Sequence, residues 1–152
     1  MRIGIISDTH GLLRPEAEAQ LAGVEYIIHA GDIGSAEIVP CLRRIAPVTA
    51  IRGNVDTQGW AREFPAREGV TFGGRTIYVI HDLGELDLDP VAAGFDVVVF
   101  GHSHQPKIET ADGVLYLNPG SAGPRRFRLP ITLAILELTA AEVRPEIHDL
   151  VV

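Results

Sequence analysis

Seven side chains able to hold a metal stand directly after short apolar runs. RIGIIS runs into Asp8 and His10, VEYIIHAG into Asp32, and PVTAIRG into Asn54; TIYVI ends at His81, and DVVVFG delivers His102 and His104. Asp, Asn and His are hard or borderline ligands, and no thiolate stands among them. That set favours Mn, Fe, Co, Ni or Zn over a soft metal, with Mn first because it accepts mixed oxygen and nitrogen ligands. In open α/β sheets ligands bind just beyond the carboxyl ends of the strands, so residues far apart in sequence can converge there. The expectation is a site for two divalent ions built on a sheet.

Each ligand has its own logic. Asp8 and His10 are two apart, so in an extended segment they point to the same side, and Gly11 lets the chain turn away behind them. A carboxylate can bridge two cations, and Asp32 is the candidate bridge. Asn54 offers a neutral amide oxygen that adds no charge to a crowded site. His102 and His104 are again two apart and can serve one ion each. His29, three residues before Asp32, reads as a core histidine that could orient a carboxylate by hydrogen bonding. His148 has no partner nearby in sequence and reads as a surface residue.

These positions need elements to hold them. Strands over 2–7, 25–29 and 47–52 alternate with helices near 15–23 and 35–45, which implies βαβ units and a parallel sheet. Ser35 is a candidate N-cap for the second helix, on which Ile38, Val39, Leu42 and Ile45 repeat at helical spacing. Cys41 lies in that segment and reads as a buried small hydrophobe. The second half turns to hairpins, at Gly73-Gly74 and at Asp112-Gly113, with a short helix near 89–94 before the apolar strand DVVVF. ITLAILEL and EVRPEIHDL close the chain as two strands around Thr139-Ala140, and Pro145 confines the last to an edge or a bulge. Two sheets packed face to face with helices outside fit this pattern.

Bulk properties limit the alternatives. At 152 residues the chain reads as a single domain, 1–152. A formal charge of −7 argues against a broad nucleic-acid footprint or a membrane-surface role. One cysteine cannot form an internal disulfide, no apolar run reaches the ~18 residues of a membrane span, and no export signal is visible. The simplest expectation is a cytoplasmic protein acting on a small substrate, with homo-oligomerisation left open.

SDTHG (7–11), HAGD (29–32), IRGNVD (51–56), the strand-ending His81, FGHSHQP (100–106) and NPGS (118–121), in that order, resemble the calcineurin-like metallophosphoesterase superfamily, in its small single-domain prokaryotic phosphodiesterase branch. The resemblance covers nearly the whole chain. It implies an α/β fold, a four-layer αββα sandwich of two mixed sheets, with a dinuclear centre at the strand C-terminal ends. It assigns Asp8, His10, Asp32 and His104 to one ion and Asp32, Asn54, His81 and His102 to the other. Two positions depart from the pattern. The superfamily often carries a histidine after the asparagine to protonate the leaving group, and Val55 stands there. Glycine usually follows the strand-ending histidine, here His81, and Asp82 stands there, either adding negative charge near the second ion or pointing to solvent.

The resulting expectation is a dinuclear phosphodiesterase, with in-line attack by a hydroxide shared between the ions. Asp32 and Asn54 carry catalytic roles as ligands, and no protein nucleophile is apparent. Asp56 and Ser121 are candidates for supporting the site, and Ser121 lies in a loop expected to shape the pocket. Arg125, Arg126 and Arg128 form either a phosphate clamp or a solvated loop or subunit contact. Trp60 either covers the pocket mouth or simply packs. The competing readings are a phosphomonoesterase with the same site and a non-catalytic scaffold resembling the retromer subunit of this fold.

Overall fold

The computed structural model describes residues 1–152. The first half alternates β1 (Arg2–Ile6), α1 (Pro15–Leu21), β2 (Tyr26–His29), α2 (Ile38–Arg43) and β3 (Val48–Ala50). The second half holds β4 (Arg67–Phe72), β5 (Arg75–Ile80), α3 (Pro90–Ala93), β6 (Val97–Val99), β7 (Lys107–Ala111), β8 (Val114–Asn118), β9 (Thr132–Leu138) and β10 (Val143–Asp149). Two mixed five-stranded sheets result, ordered β10-β9-β1-β2-β3 and β4-β5-β6-β8-β7. In each sheet three adjacent strands run parallel, β1, β2 and β3 in the first and β5, β6 and β8 in the second, and the remaining strands pair antiparallel.

Runs that look uniformly apolar in sequence divide by side-chain alternation between two faces. Ile3 and Ile5 of β1, Ile77 and Val79 of β5, Val97 and Val99 of β6, Leu115 and Leu117 of β8, and Ala134 and Leu136 of β9 fill the space between the sheets. Ile6, Ile27, Leu133 and Ile135 face the other way and meet Ala17 and Leu21 of α1 and Ile38, Val39 and Leu42 of α2. On the far side Tyr78, Ile80, Val98 and Phe100 pack under Leu83, Leu86, Leu88 and Phe95, around a 3-10 turn at Leu83–Glu85 and α3. Three apolar layers separate four structural ones.

Both predicted hairpins form. Gly73 and Gly74, and likewise Asp112 and Gly113, have positive φ at successive positions, the mirror-image turns that match strand twist. Pro145 lies in β10, an edge strand. The second helix differs from expectation. It begins at Ile38 rather than near Ser35, and Glu37 precedes it without a side-chain cap. Pro40 explains the shift. It has no N–H to donate and is tolerated only in the first turn, so the helix starts where Pro40 is its third residue. Cys41 is on this helix as expected, but half-buried rather than buried.

Candidate metal centre

Strands β1, β2, β3, β5 and β6 all end at one edge of the sandwich, and the seven candidate ligands lie there. Beyond β1 and β2 the parallel ladder continues into the loops: Asp8 donates its N–H to the Gly31 carbonyl, His10 to Asp32 and Gly11 to Ile33. The backbone then folds back on itself. Asp8, His10, Asp32, His102 and His104 all have positive φ, between 47° and 73°. Asp and His enter this left-handed region more readily than most side chains, so the residue types that bind metal also suit these turns. Gly53 and Gly101 matter for space: a Cβ on Gly53 would run into the Asp32 carboxylate, and one on Gly101 into Ser7 and Asp8.

Two groups of three ligand atoms form, Asp8 with His10 and His104, and Asp8 with Asp32 and His81. Asp8 Oδ1 is 3.3 Å from His104 Nε2, 3.7 Å from His10 Nε2 and 3.8 Å from His81 Nε2. Asp32 Oδ2 is 3.1 Å from His81 Nε2 and 3.7 Å from His10 Nε2. Asp8 is thus common to both groups, while Asp32 reaches an imidazole of each. Asn54 and His102 stand at the exposed rim. His102 meets the His81 ring edge-on at 5.3 Å, and Asn54 shares with His81 a small cavity of about 150 Å³.

Each carboxylate has one oxygen anchored and one left facing the imidazoles. Ser7 Oγ donates to Asp8 Oδ2 at 2.6 Å, and the His102 N–H donates to the same oxygen. The Val55 N–H donates to Asp32 Oδ1. His81 Nδ1 lies 2.7 Å from the Ala30 carbonyl, which fixes the proton on Nδ1 and turns the Nε2 lone pair inward. Asp8 Oδ1 and His81 Nε2 are buried without any hydrogen bond. A buried carboxylate oxygen ringed by imidazole nitrogens, none of them bonded to it, needs protons or cations to offset its charge. The residues present therefore fit divalent metal ions.

The charges point the same way. Burial would raise the Asp8 carboxyl, but His10, His104, the Ser7 hydroxyl and the charge of His81 hold it well below the usual range. Burial also opposes the Asp32 shift, and His81 outweighs it, so Asp32 is lowered. Burial lowers His81, yet Asp32, Asp8 and the Ala30 carbonyl raise it to about 8. His10 is raised, chiefly by Asp8. Without metal this is an imidazolium–carboxylate cluster, and a cation would displace its protons.

The supporting residues differ in part from expectation. His29 touches no carboxylate. Its Nδ1 accepts from the Gly31 N–H, so its Nε2–H donates to Thr9 Oγ1, which in turn donates to the Ile33 carbonyl. Asp56 is buried and accepts from the Ile33, Gly34 and Gly53 N–H groups, tying the loop of Asp32 to that of Asn54. Ser121 Oγ donates to the Asp8 carbonyl. Asn118 Nδ2 donates to the Gly101 carbonyl and to Ser103 Oγ. Asp82 neither points freely to solvent nor joins a ligand group: Oδ1 caps the 3-10 turn through Gly84, and Oδ2 is 3.9 Å from His102 Nε2. Arg125 is turned to the Leu129 carbonyl, and Arg126 is exposed. Trp60 packs against the outer core and Phe64. His148 does have partners, Gln20 and Glu146. Sequence reading missed Ser7 and Thr9, whose only signal was a hydroxyl on either side of Asp8.

The chain belongs to the calcineurin-like phosphoesterase superfamily, whose domain model matches residues 1–141. A probable metallophosphoesterase of Methanothermobacter thermautotrophicus is 34% identical over 161 residues, covering 97% of this chain and 91% of the relative. A phosphodiesterase of Methanocaldococcus jannaschii is 28% identical over 163 residues, covering 95% of this chain and 97% of the relative. Vps29 of Chaetomium thermophilum superposes with a TM-score of 0.80 at 16% identity, covering 97% of this chain and 95% of that one; at that identity the likeness is one of fold alone. No helix is long and apolar enough to cross a membrane.

Proposed function

We propose that the chain is a phosphodiesterase dependent on two divalent cations, held by Asp8, His10, Asp32 and His104 on one side and by Asp32, Asn54, His81 and His102 on the other. The observation that carries this reading is the buried, unbonded Asp8 Oδ1, shared by two ligand groups, one of which also holds the unbonded His81 Nε2. Asp32 Oδ2 is within reach of imidazoles from both groups, so Asp32 would be the ligand held in common by the two cations. Bound cations would generate a nucleophile from water at neutral pH and offset charge growing on the phosphoryl oxygens. Ser7, Val55 and Ala30 keep the ligands aimed so that little reorganisation is needed.

Diester preference follows from what stands beside Asn54. Val55 is exposed and has no side-chain proton to give. General acid catalysis is typically worth about 10²–10⁴-fold, and its absence matters least when the leaving oxygen is already a weak base. Phosphomonoester transition states are loose and load the leaving oxygen, so diesters with aryl leaving groups suit this site better. The test is chelation and reconstitution, with Mn²⁺ tried first, alongside elemental analysis and assays on bis(p-nitrophenyl) phosphate and p-nitrophenyl phosphate. Activity should vanish with chelator, return with metal, and favour the diester. Full turnover with no metal bound would sink the metal dependence, and faster turnover of the monoester would sink the diester preference.

A further inference from the structure

Seven non-glycine residues have positive φ. Five are the ligands named above and Asp112 is in a hairpin turn; the seventh is Phe127, at 54°. Phe127 is 87% exposed, so burial does not offset the conformation. The loop that carries it is rooted in the metal centre. Gly123 fits so closely against the carbonyls of Asp8 and Thr9 that a Cβ there would strike them, and Arg14 donates to the Gly123 carbonyl. From there the chain runs out as Pro124-Arg125-Arg126-Phe127-Arg128-Leu129-Pro130.

The loop is tied in place. The Leu129 N–H donates to the Arg126 carbonyl at 3.1 Å, and the Arg125 guanidinium donates to the Leu129 carbonyl at 3.1 Å. Phe127 is the second residue of the turn so closed. Turns with positive φ at that position are dominated by Gly, Asn and Asp, and a bulky residue there is a genuine outlier. Strain of this kind persists at ligand clamps and switch regions. The charge around it is also out of character for an acidic chain: three of its 13 Lys and Arg residues flank this one ring.

We propose that Pro124–Pro130 is a substrate-recognition loop, in which Phe127 stacks on an aromatic group of the phosphoester and Arg126 and Arg128 attract its phosphate. The substrate class is then a phosphodiester bearing a nucleobase or an aryl ring. This rests on the phosphodiesterase reading and refines it. A second copy of the chain is a poorer occupant, because a two-fold contact centred on the tip would set each copy's three guanidiniums against the other's. A flat anionic ligand meets both the ring face and the guanidiniums favourably.

The test uses binding rather than turnover. Metal-loaded protein is titrated by calorimetry with AMP, phenyl phosphate and ribose 5-phosphate. The two aromatic ligands should bind about tenfold tighter than ribose 5-phosphate, the scale of one stacking contact. In Phe127→Gly, which suits the positive φ and so should fold at least as stably, that ratio should fall to near one; Phe127→Trp should keep it. A larger gain for AMP identifies a nucleobase, and a larger gain for phenyl phosphate a shorter aryl ester. A ratio unchanged in Phe127→Gly overturns the proposal, as does a dimer that this substitution alone converts to monomer. If the ratio behaves as expected but the protein hydrolyses no phosphoester, the loop assignment stands and the enzymatic reading fails.

Discussion

Asp8 and Asp32 are both buried, yet they stand in different relations to the site. Asp8 Oδ2 is held by Ser7 and the His102 N–H, whereas Asp32 is held by one backbone donor, Val55. As the proposed bridge, Asp32 affects both ions, so Asp32→Ala should abolish activity and remove both metals. His10→Ala should remove one ligand and cost about 10–100-fold in affinity or rate. Elemental analysis of the two variants decides it: two metals retained by Asp32→Ala would refute the bridge. His29 supplies a second prediction. Burial pushes its pKa down from 6.5 to about 4, so between those values the unfolded chain takes a proton that the folded chain refuses. Its contribution is complete above 6.5 and is lost as pH falls toward 4, by on the order of 3 kcal/mol. His81 works in another window. Raised to about 8, it contributes fully below 6.5 and loses that contribution as pH rises through 8. In His29→Gln the decline between 6.5 and 4 should flatten, as read from urea midpoints of the metal-free proteins. Parallel declines in wild type and variant would show that some other group is responsible.

At the scale of elements, the site depends on how separate strand ends are lashed together. Asp56 does most of this between β2 and β3, accepting from Ile33, Gly34 and Gly53. Asp56→Ala leaves three N–H groups without their partner, each costing about 1–3 kcal/mol where water cannot reach. The substitution should lower the unfolding free energy by about 3 kcal/mol or more and weaken metal binding by about tenfold. Calorimetry and metal titration on one preparation measure both. Lost stability with unchanged metal affinity would mean that the two loops are positioned independently of Asp56. The second sheet shows the same device, where Asn118 holds the turn bearing His102 and His104 through Gly101 and Ser103.

At the scale of the whole molecule, metal binding and folding should be linked. A ligand that binds only the native state at 100-fold its dissociation constant adds about 2.7 kcal/mol, or several degrees in Tm for a chain of this size. Protons compete for the same imidazoles. His10 and His81 are both raised by their carboxylates, so metal must displace protons at neutral pH and its apparent affinity should increase with pH until His81 has titrated, near 8. Thermal unfolding with and without Mn²⁺ from about pH 6 to about pH 8.5 should show a widening difference. A metal-induced rise in Tm that is the same at both ends would contradict proton–metal exchange at these residues.

The local sequence carried much of this. Apolar runs ending in Asp, Asn or His marked the strands, and Gly73-Gly74 and Asp112-Gly113 marked the hairpins, because strand period, turn chemistry and ligand type are properties of a residue and its near neighbours. Other features could not be read in this way. His29 bonds to Thr9 and Gly31 rather than to a carboxylate, since the parallel pairing of β1 and β2 decides which groups face it. The role of Ser7, the three donors on Asp56 and the closeness of Gly53 to Asp32 likewise depend on loops that are distant in the chain. Residue type sets which chemistry is available, and only tertiary packing decides which atoms come within bonding distance, because hydrogen bonds and steric exclusion act over a few ångströms of space whatever the separation along the chain.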